Sequence, residues 1–196
     1  MVIEAPGMPT KAGTGSCPWQ PGYEFSFDLG AFSRVEVAEY VRRVRDPNAI
    51  HIDAEAARKF CVARGIAVRM PKEWIVPGMA PLDRLPGLFV DKFGQNTHLV
   101  EIKRTLFVQP CFTGEMLRAD CAIADVRSVG QADWHISCRI RISVADAEED
   151  IVTVTGSAAF RTPKTGLRAD DPALDRTGIP AAEKLLEDDH GGVSKH

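Results

Sequence analysis

The sequence predicts an α+β fold in which an antiparallel β-sheet wraps around a helix. Two observations predict it: apolar residues recur at helical spacing between about residues 34 and 93, and from residue 98 onward they alternate with polar residues at the period of a strand. A run of helices followed by a run of strands is typical of α+β domains. With 196 residues, the chain is expected to form one domain, over about residues 21–163.

The two ends of the chain differ in composition from this middle part. Residues 1–20 are dense in proline and glycine, which cannot sustain a helix or a central strand, so we predict an irregular arm. Residues 164–196 are polar and rich in aspartate, with little apolar surface to bury. We predict a polar tail there.

Three helices are predicted ahead of the strands. Ser33 and Glu36 form a capping box, and the apolar residues that follow at helical spacing predict a first helix over 34–44. Asp53 can cap a second, short helix. A third apolar stripe runs from Met79 to about residue 93, and Pro86 removes an interior hydrogen bond there, so this helix is expected to be kinked or built in two pieces.

The strands are predicted from alternation of apolar and polar residues. Segments at about 98–108, 117–123, 134–144 and 151–161 show it, separated by turn residues. In the first of them, the residues that are loosely in phase, and therefore expected on one face, are Val100, Ile102, Leu106 and Val108. The pattern indicates half-buried antiparallel strands that form a meander.

Composition excludes several classes of function. A formal net charge of −3 provides no basic field for nucleic acid. The five cysteines are odd in number and scattered without a C-x-x-C pair, so we expect reduced thiols and neither a disulfide framework nor a zinc site. The N-terminus lacks the apolar stretch of a signal peptide or membrane span. We therefore expect a soluble cytoplasmic protein with no nucleic-acid, membrane or metal partner.

The chemistry is concentrated in one short segment after the first helix. Asp46, Asn48 and His51 place a carboxylate, an amide and an imidazole within six residues, interrupted by Pro47. Two interpretations are open from the residues alone. A turn at Pro47 could bring the carboxylate and the imidazole to one water molecule; alternatively, Asp46 and Asn48 only close the turn while His51 packs or is solvated.

This segment resembles a known signature. Asp46-Pro47-Asn48-Ala49-Ile50-His51-Ile52-Asp53 is similar to the Asp-x-Asn-Pro-(Ile/Leu)-His-x-Asp motif of the MaoC-like (R)-specific enoyl-CoA hydratases. Ile75-Val76-Pro77-Gly78-Met79 resembles the start of that family's central helix, and the segment 107–115 resembles its turn between strands. The likeness covers roughly residues 23–162, and it implies the hot-dog fold, an antiparallel sheet around a central helix.

The resemblance also implies an activity and its residues. Asp46 and His51 would be the acid-base pair that adds water to a 2-enoyl thioester, and Asn48 would orient the pair. The Gly78 backbone N–H would stabilise the negative charge that develops on the thioester oxygen. The family needs no metal or redox cofactor, and coenzyme A or an acyl carrier would be part of the substrate. Hot-dog folds pair their sheets across a two-fold axis, so a homodimer or larger even assembly is expected.

The chain departs from the family pattern at several positions. Ala49 replaces the usual Pro, Arg45 stands where a small residue is common, and the span 60–76 looks longer than in short hydratases. These changes concern backbone shape and the acyl tunnel, and they remove no chemical group. Two alternatives stay open at this point: a non-catalytic acyl-thioester-binding partner subunit, and a hot-dog thioesterase.

Overall fold

The computed structural model describes residues 17–145 and 147–164. Most of the predicted N-terminal arm and almost all of the predicted C-terminal tail lie outside the described residues. The described helices and strands are, in chain order, β1 (Glu24–Gly30), α1 (Arg34–Val44), α2 (Ala54–Ala63), α3 (Ala80–Asp83), α4 (Leu85–Phe93), β2 (His98–Phe107), β3 (Leu117–Val129), β4 (Asp133–Val144) and β5 (Val152–Pro163), and a 3₁₀ turn occupies Ala49–His51.

The helices begin and end where local chemistry predicts. At α1, the Ser33 side chain accepts a hydrogen bond from the Glu36 N–H and the Glu36 carboxylate accepts one from the Ser33 N–H, which confirms the capping box. Asp53 caps α2 through the Glu55 N–H. The third predicted helix is indeed in two pieces, α3 and α4, and each has a proline in its first turn, where no amide hydrogen is needed.

The five strands form one antiparallel sheet in the order β1-β3-β4-β5-β2. Its inner face packs against α4, whose Phe89 stacks on Phe160 of β5 with 3.7 Å between ring centroids. Phe89 and Phe93 are almost completely buried there. A sheet wrapped around a central helix is the arrangement that the sequence predicted, and that prediction is confirmed.

Two strand predictions need correction. β1 was not predicted, although Phe25, Phe27 and Leu29 alternate with polar residues along it. In β2 the predicted apolar face was wrong: Val100, Ile102, Leu106 and Val108 are all more than a third exposed. The reason is that the register of β2 against β5 shifts twice, between Leu99 and Glu101 and between Lys103 and Leu106, so no strict period of two survives.

The remaining features of the described chain agree with an ordinary protein core. All five cysteines are buried and unpaired. Among the helices at 17–145 and 147–164, none is long and apolar enough to cross a membrane.

Candidate active site

Asp46 lies at the point where the chain leaves helix α1. Arg45 adopts a left-handed conformation (φ 56°), and the Asp46 N–H reaches back to the Val41 carbonyl at 3.1 Å, which closes the helix as in a Schellman motif. Such a position favours glycine. This explains why a small residue would be expected where this chain has arginine. The sharp end turns the Asp46 side chain away from the helix axis.

Asn48 fixes the turn that follows. Its backbone N–H donates to Asp46 Oδ1 at 3.0 Å, and its own side-chain oxygen accepts from the Ile50 N–H at 3.3 Å, capping the 3₁₀ turn. Asn48 is exposed, and its side chain is absent from the lining of the cleft described below. Asn48 therefore acts on Asp46 through its backbone, and its predicted role in orienting the pair stays a prediction.

His51 is buried and held in one orientation. Its Nδ1 lies 2.7 Å from the Ile75 carbonyl oxygen, and the Ile75 N–H in turn donates to the Ile50 carbonyl at 3.1 Å. A carbonyl oxygen can only accept, so Nδ1 carries the hydrogen. In the neutral ring, Nε2 is then left with a free lone pair, as a base requires.

The structure brings Asp46 and His51 together. Asp46 Oδ2 lies 3.5 Å from His51 Nε2, and the exposed fractions of the two side chains are 34% and 9%. When the imidazole is neutral, Nε2 has no hydrogen to donate, and the two atoms are both acceptors. A water molecule that contacts both can donate one hydrogen to each, leaving its oxygen lone pairs free.

Both side chains open into a cleft of about 670 Å³, within the range of small-molecule binding sites. Its walls come from the ends of α1 and α2, the segment before α3, and the end of β2 with the neighbouring part of β5. Most lining residues are apolar: Val44, Ile50, Phe60, Ile66, Ile75, Val76, Pro77, Met79, Phe107, Val108, Pro110 and Val154. The cleft thus offers an apolar wall and one acid-base pair.

Three other titratable groups line the cleft, namely Tyr40, Arg64 and Cys111, and burial raises the pKa of the first and the last. Burial, followed by the hydrogen bond to Asp83, raises the pKa of Tyr40 to about 12. Burial, together with the charge of Glu115, raises the pKa of the Cys111 thiol to about 12. Both groups are protonated at neutral pH, so Cys111 is not a ready nucleophile.

Gly78 lines the same cleft, two residues before α3 begins. Its N–H makes no hydrogen bond to any described residue, so it can donate one to a bound ligand. A Cβ atom at this position would stand 2.6 Å from Cδ1 of the Phe107 ring, so any residue other than glycine would have to displace that ring. The predicted oxyanion role stays a prediction, supported by this free amide.

The segment between α2 and α3 forms one wall of the cleft, as predicted for the span 60–76. Arg69 holds this segment to the turn between β2 and β3: its Nε donates to Glu115 Oε1 at 2.9 Å and its Nη2 donates to the Pro110 carbonyl at 2.7 Å. Ile75 then continues into a short antiparallel bridge with Phe112. The carbonyl that orients His51 is fixed by these contacts.

Sequence reasoning missed two features of this site. The Ile75 carbonyl that contacts His51 is a backbone group, and every residue type carries one, so the sequence gives no signal for this contact. Phe107 belongs to the segment that was matched to a turn, and its contact with Gly78 depends on the register of β2. Only the three-dimensional pairing of the strands could have revealed either of them.

Comparisons with known proteins agree with this architecture. The (R)-hydratase from A. caviae involved in PHA biosynthesis superimposes with a TM-score of 0.55 at 20% sequence identity, over 72% of this chain and 96% of that one. The R-hydratase PhaJ1 from Pseudomonas aeruginosa gives 0.55 at 18%, over 79% and 91%. The MaoC-like dehydratase from Rhodospirillum rubrum gives 0.53 at 12%, over 74% and 93%.

The chain has the hot-dog fold of the MaoC-like dehydratases. The fold predicted from the sequence motifs is thereby confirmed. No protein-family model matches the sequence, and no curated protein matches it either. At these identities the likeness shows the hot-dog fold alone, and function has to be argued from the site.

Proposed function

We propose that the protein is a hydro-lyase that adds water reversibly to a trans-2-enoyl thioester and forms a 3-hydroxyacyl thioester. The observation that carries the proposal is the approach of a carboxylate and an imidazole, with Asp46 Oδ2 and His51 Nε2 3.5 Å apart at the wall of a mostly apolar cleft. Fold likeness to hydratases and dehydratases supports the reaction class. The acyl group would occupy the apolar part of the cleft.

The reaction can be written with the groups at hand. A water molecule donates one hydrogen to Asp46 Oδ2 and one to His51 Nε2, and its oxygen forms a bond to C3 of the enoyl group. His51 takes the proton as the O–H bond breaks, and the nearby carboxylate stabilises the imidazolium. The imidazolium then gives this proton to C2. Water adds across the double bond with no gain or loss of electrons.

The thioester oxygen gains negative charge when the C3–O bond forms. A free N–H at Gly78 would stabilise this charge, and a partly enclosed apolar cleft would strengthen that interaction. The thioester itself spreads the charge of the enolate. The proposed reaction therefore uses only positioning, proton transfer and an oxyanion donor from the protein.

Purified protein mixed with crotonyl-CoA tests the proposal. We expect loss of the conjugated enoyl absorbance without release of free thiol. Release of thiol would identify a thioesterase instead. If neither crotonyl-CoA nor longer enoyl-CoA esters change, while saturated acyl-CoA esters bind, the protein is a non-catalytic acyl-binding subunit and the proposed activity is wrong.

We further propose that β2 pairs with β2 of a second copy. β2 is an end strand of the sheet, and Val100 and Ile102 on it are 44% and 37% exposed. An unpaired apolar edge strand is a template for another strand, and a two-fold pair removes it. One structure with this fold, from Mycobacterium tuberculosis, is described as a ChsH1-ChsH2 complex, so pairing with a different chain is the alternative to test.

Light scattering after size-exclusion chromatography checks the pairing. The wild-type protein is expected at twice the chain mass of 21.4 kDa. Val100→Lys should shift it towards the monomer, because a lysine on an edge strand opposes pairing. Val35→Lys is the matched control, since Val35 is 67% exposed on α1, away from the sheet. A monomeric wild-type protein would contradict the proposal.

A further inference from the structure

One aromatic ring lines the cleft at the end of β2, that of Phe107. Phe107 packs so closely on Gly78 that its ring atoms Cδ1 and Cε1 lie 2.6 and 2.7 Å from the point where a Cβ atom on Gly78 would be. The side chain is nevertheless 55% exposed. The ring is therefore placed across the cleft without being fixed inside the core.

A small apolar gap continues the line of the cleft beyond this ring. Along β5 the lining passes from Val154 in the cleft to Gly156 in the gap, and along β2 it passes from Phe107 to Thr105. The helical side passes from Gly78 to Leu82 in the same direction. The gap measures about 10 Å³, too little for an acyl chain.

The gap exists because β5 carries small residues at this point. Gly156 and Ala158 pair with Ile140 and Cys138 of β4, and a side chain on Gly156 would meet Thr105, whose Cα lies 3.4 Å from the Cβ position. This close approach occurs at the second register shift of β2. The gap is lined mostly by apolar residues, and Thr105 Oγ1 beside it has no hydrogen-bond partner among the described residues.

We infer that Phe107 determines the acyl-chain length that the cleft accepts, because its ring lies at the end of the cleft where the lining continues to this apolar gap. The inference rests on the proposed function for the nature of the ligand. With Phe107 in place, methylene groups beyond the ring find no room. Without the ring, the cleft and the gap become continuous, and a longer chain can be buried between α4 and the sheet.

Calorimetric binding of saturated butanoyl-, hexanoyl-, octanoyl- and decanoyl-CoA tests the inference without requiring turnover. For the wild-type protein, the affinity should stop rising at a short chain. For Phe107→Ala, the ratio of decanoyl-CoA to butanoyl-CoA affinity should increase at least tenfold, because each newly buried methylene group contributes about a factor of four. Phe107→Leu should give a smaller increase of the same sign.

Leu106→Ala is the matched control. Leu106 precedes Phe107 on the same strand, is 64% exposed, and does not line the cleft, so the chain-length ratio should not change. Thermal melting of each variant checks that it is folded. If Phe107→Ala and Phe107→Leu are folded and keep the wild-type ratio, the inference is wrong, whatever the activity.

The outcomes separate this inference from the proposed reaction. Binding with the expected change in ratio, but without hydration of any enoyl-CoA, supports the inference and contradicts the proposed reaction. Hydration without a change in ratio supports the reaction and contradicts the inference. If the wild-type protein binds none of the four thioesters, the cleft is not an acyl site and the inference is overturned.

Discussion

Asp46→Asn is expected to lower kcat/KM for enoyl-CoA hydration by about 10³-fold, within the range for loss of a positioned acid-base group. The amide cannot stabilise a neighbouring imidazolium as a carboxylate does, and it can offer a hydrogen where the proposed water needs an acceptor. Its oxygen can still accept from the Asn48 N–H, which Asp46 Oδ1 does at 3.0 Å. The turn should therefore survive while the chemistry fails.

Asp53→Asn is the control for this substitution. Asp53 belongs to the same short segment, but it caps α2 by accepting from the Glu55 N–H at 2.8 Å and does not line the cleft. Asparagine is an equally good cap, so activity should stay within about twofold of wild type. Steady-state kinetics with crotonyl-CoA measure both variants. If both variants keep wild-type kcat/KM, Asp46 neither positions the water nor stabilises the imidazolium, and its proposed role is wrong.

His51→Asn should cause a loss of similar size for a different reason. The asparagine amide nitrogen is bonded to Cγ, as Nδ1 is, and can donate to the Ile75 carbonyl in its place, so the loop at 74–76 keeps its hydrogen bond. It cannot take a proton at neutral pH. Asp46 and His51 act on one water molecule, so their effects should not add. The kcat/KM of the double variant should be about equal to that of the less active single variant.

The sequence could predict the parts of this site that depend on local chemistry. The capping box at Ser33, the end of α1 near Val44 and the cap at Asp53 each involve residues within four positions of one another. The turn between the two helices follows from Pro47 and from the preference of Asn48 for capping. These local signals placed Asp46 and His51 on one turn, and the motif resemblance supplied their expected role.

The parts that could not be predicted depend on contacts between distant segments. The predicted face of β2 was wrong because the register of this strand against β5 shifts twice, and the second shift lies where Thr105 passes close to Gly156. The orientation of His51 depends on a carbonyl 24 residues further along the chain. By contrast, β1 could have been predicted from the sequence, because Phe25 and Phe27 alternate with polar residues along it.

Glu115→Ala is expected to reduce the free energy of unfolding by about 3–5 kcal/mol, the usual cost of removing one partner of a buried ion pair. The Glu115 side chain is 8% exposed and that of Arg69 is 18% exposed. Glu115 accepts from Arg69 Nε at 2.9 Å, from Arg69 Nη2 at 3.2 Å and from the Phe112 N–H at 2.8 Å. The substitution leaves the Arg69 guanidinium without its carboxylate partner and the Phe112 N–H without its acceptor.

Urea unfolding followed by circular dichroism measures this loss. Glu55→Ala is the matched control, because Glu55 also forms a close pair, with Arg58 at 2.7 Å, but on the exposed surface of α2. Exposed pairs contribute little, so the control should unfold with a midpoint close to wild type. If both variants lose the same free energy of unfolding, the buried Arg69–Glu115 pair stabilises the protein no more than the exposed Arg58–Glu55 pair does.

The same pair should link stability to the shape of the cleft. Arg69 lies between Ile66 and Ile75, which line the cleft, and Ile75 supplies the carbonyl that orients His51. Glu115→Ala should therefore weaken acyl-CoA binding and lower kcat together. Replacing both partners, as in Arg69→Met with Glu115→Leu, should recover part of the stability because no unpaired charge remains buried. Recovery should be incomplete, since the Phe112 N–H and the Pro110 carbonyl would still lack the partners that the pair provides.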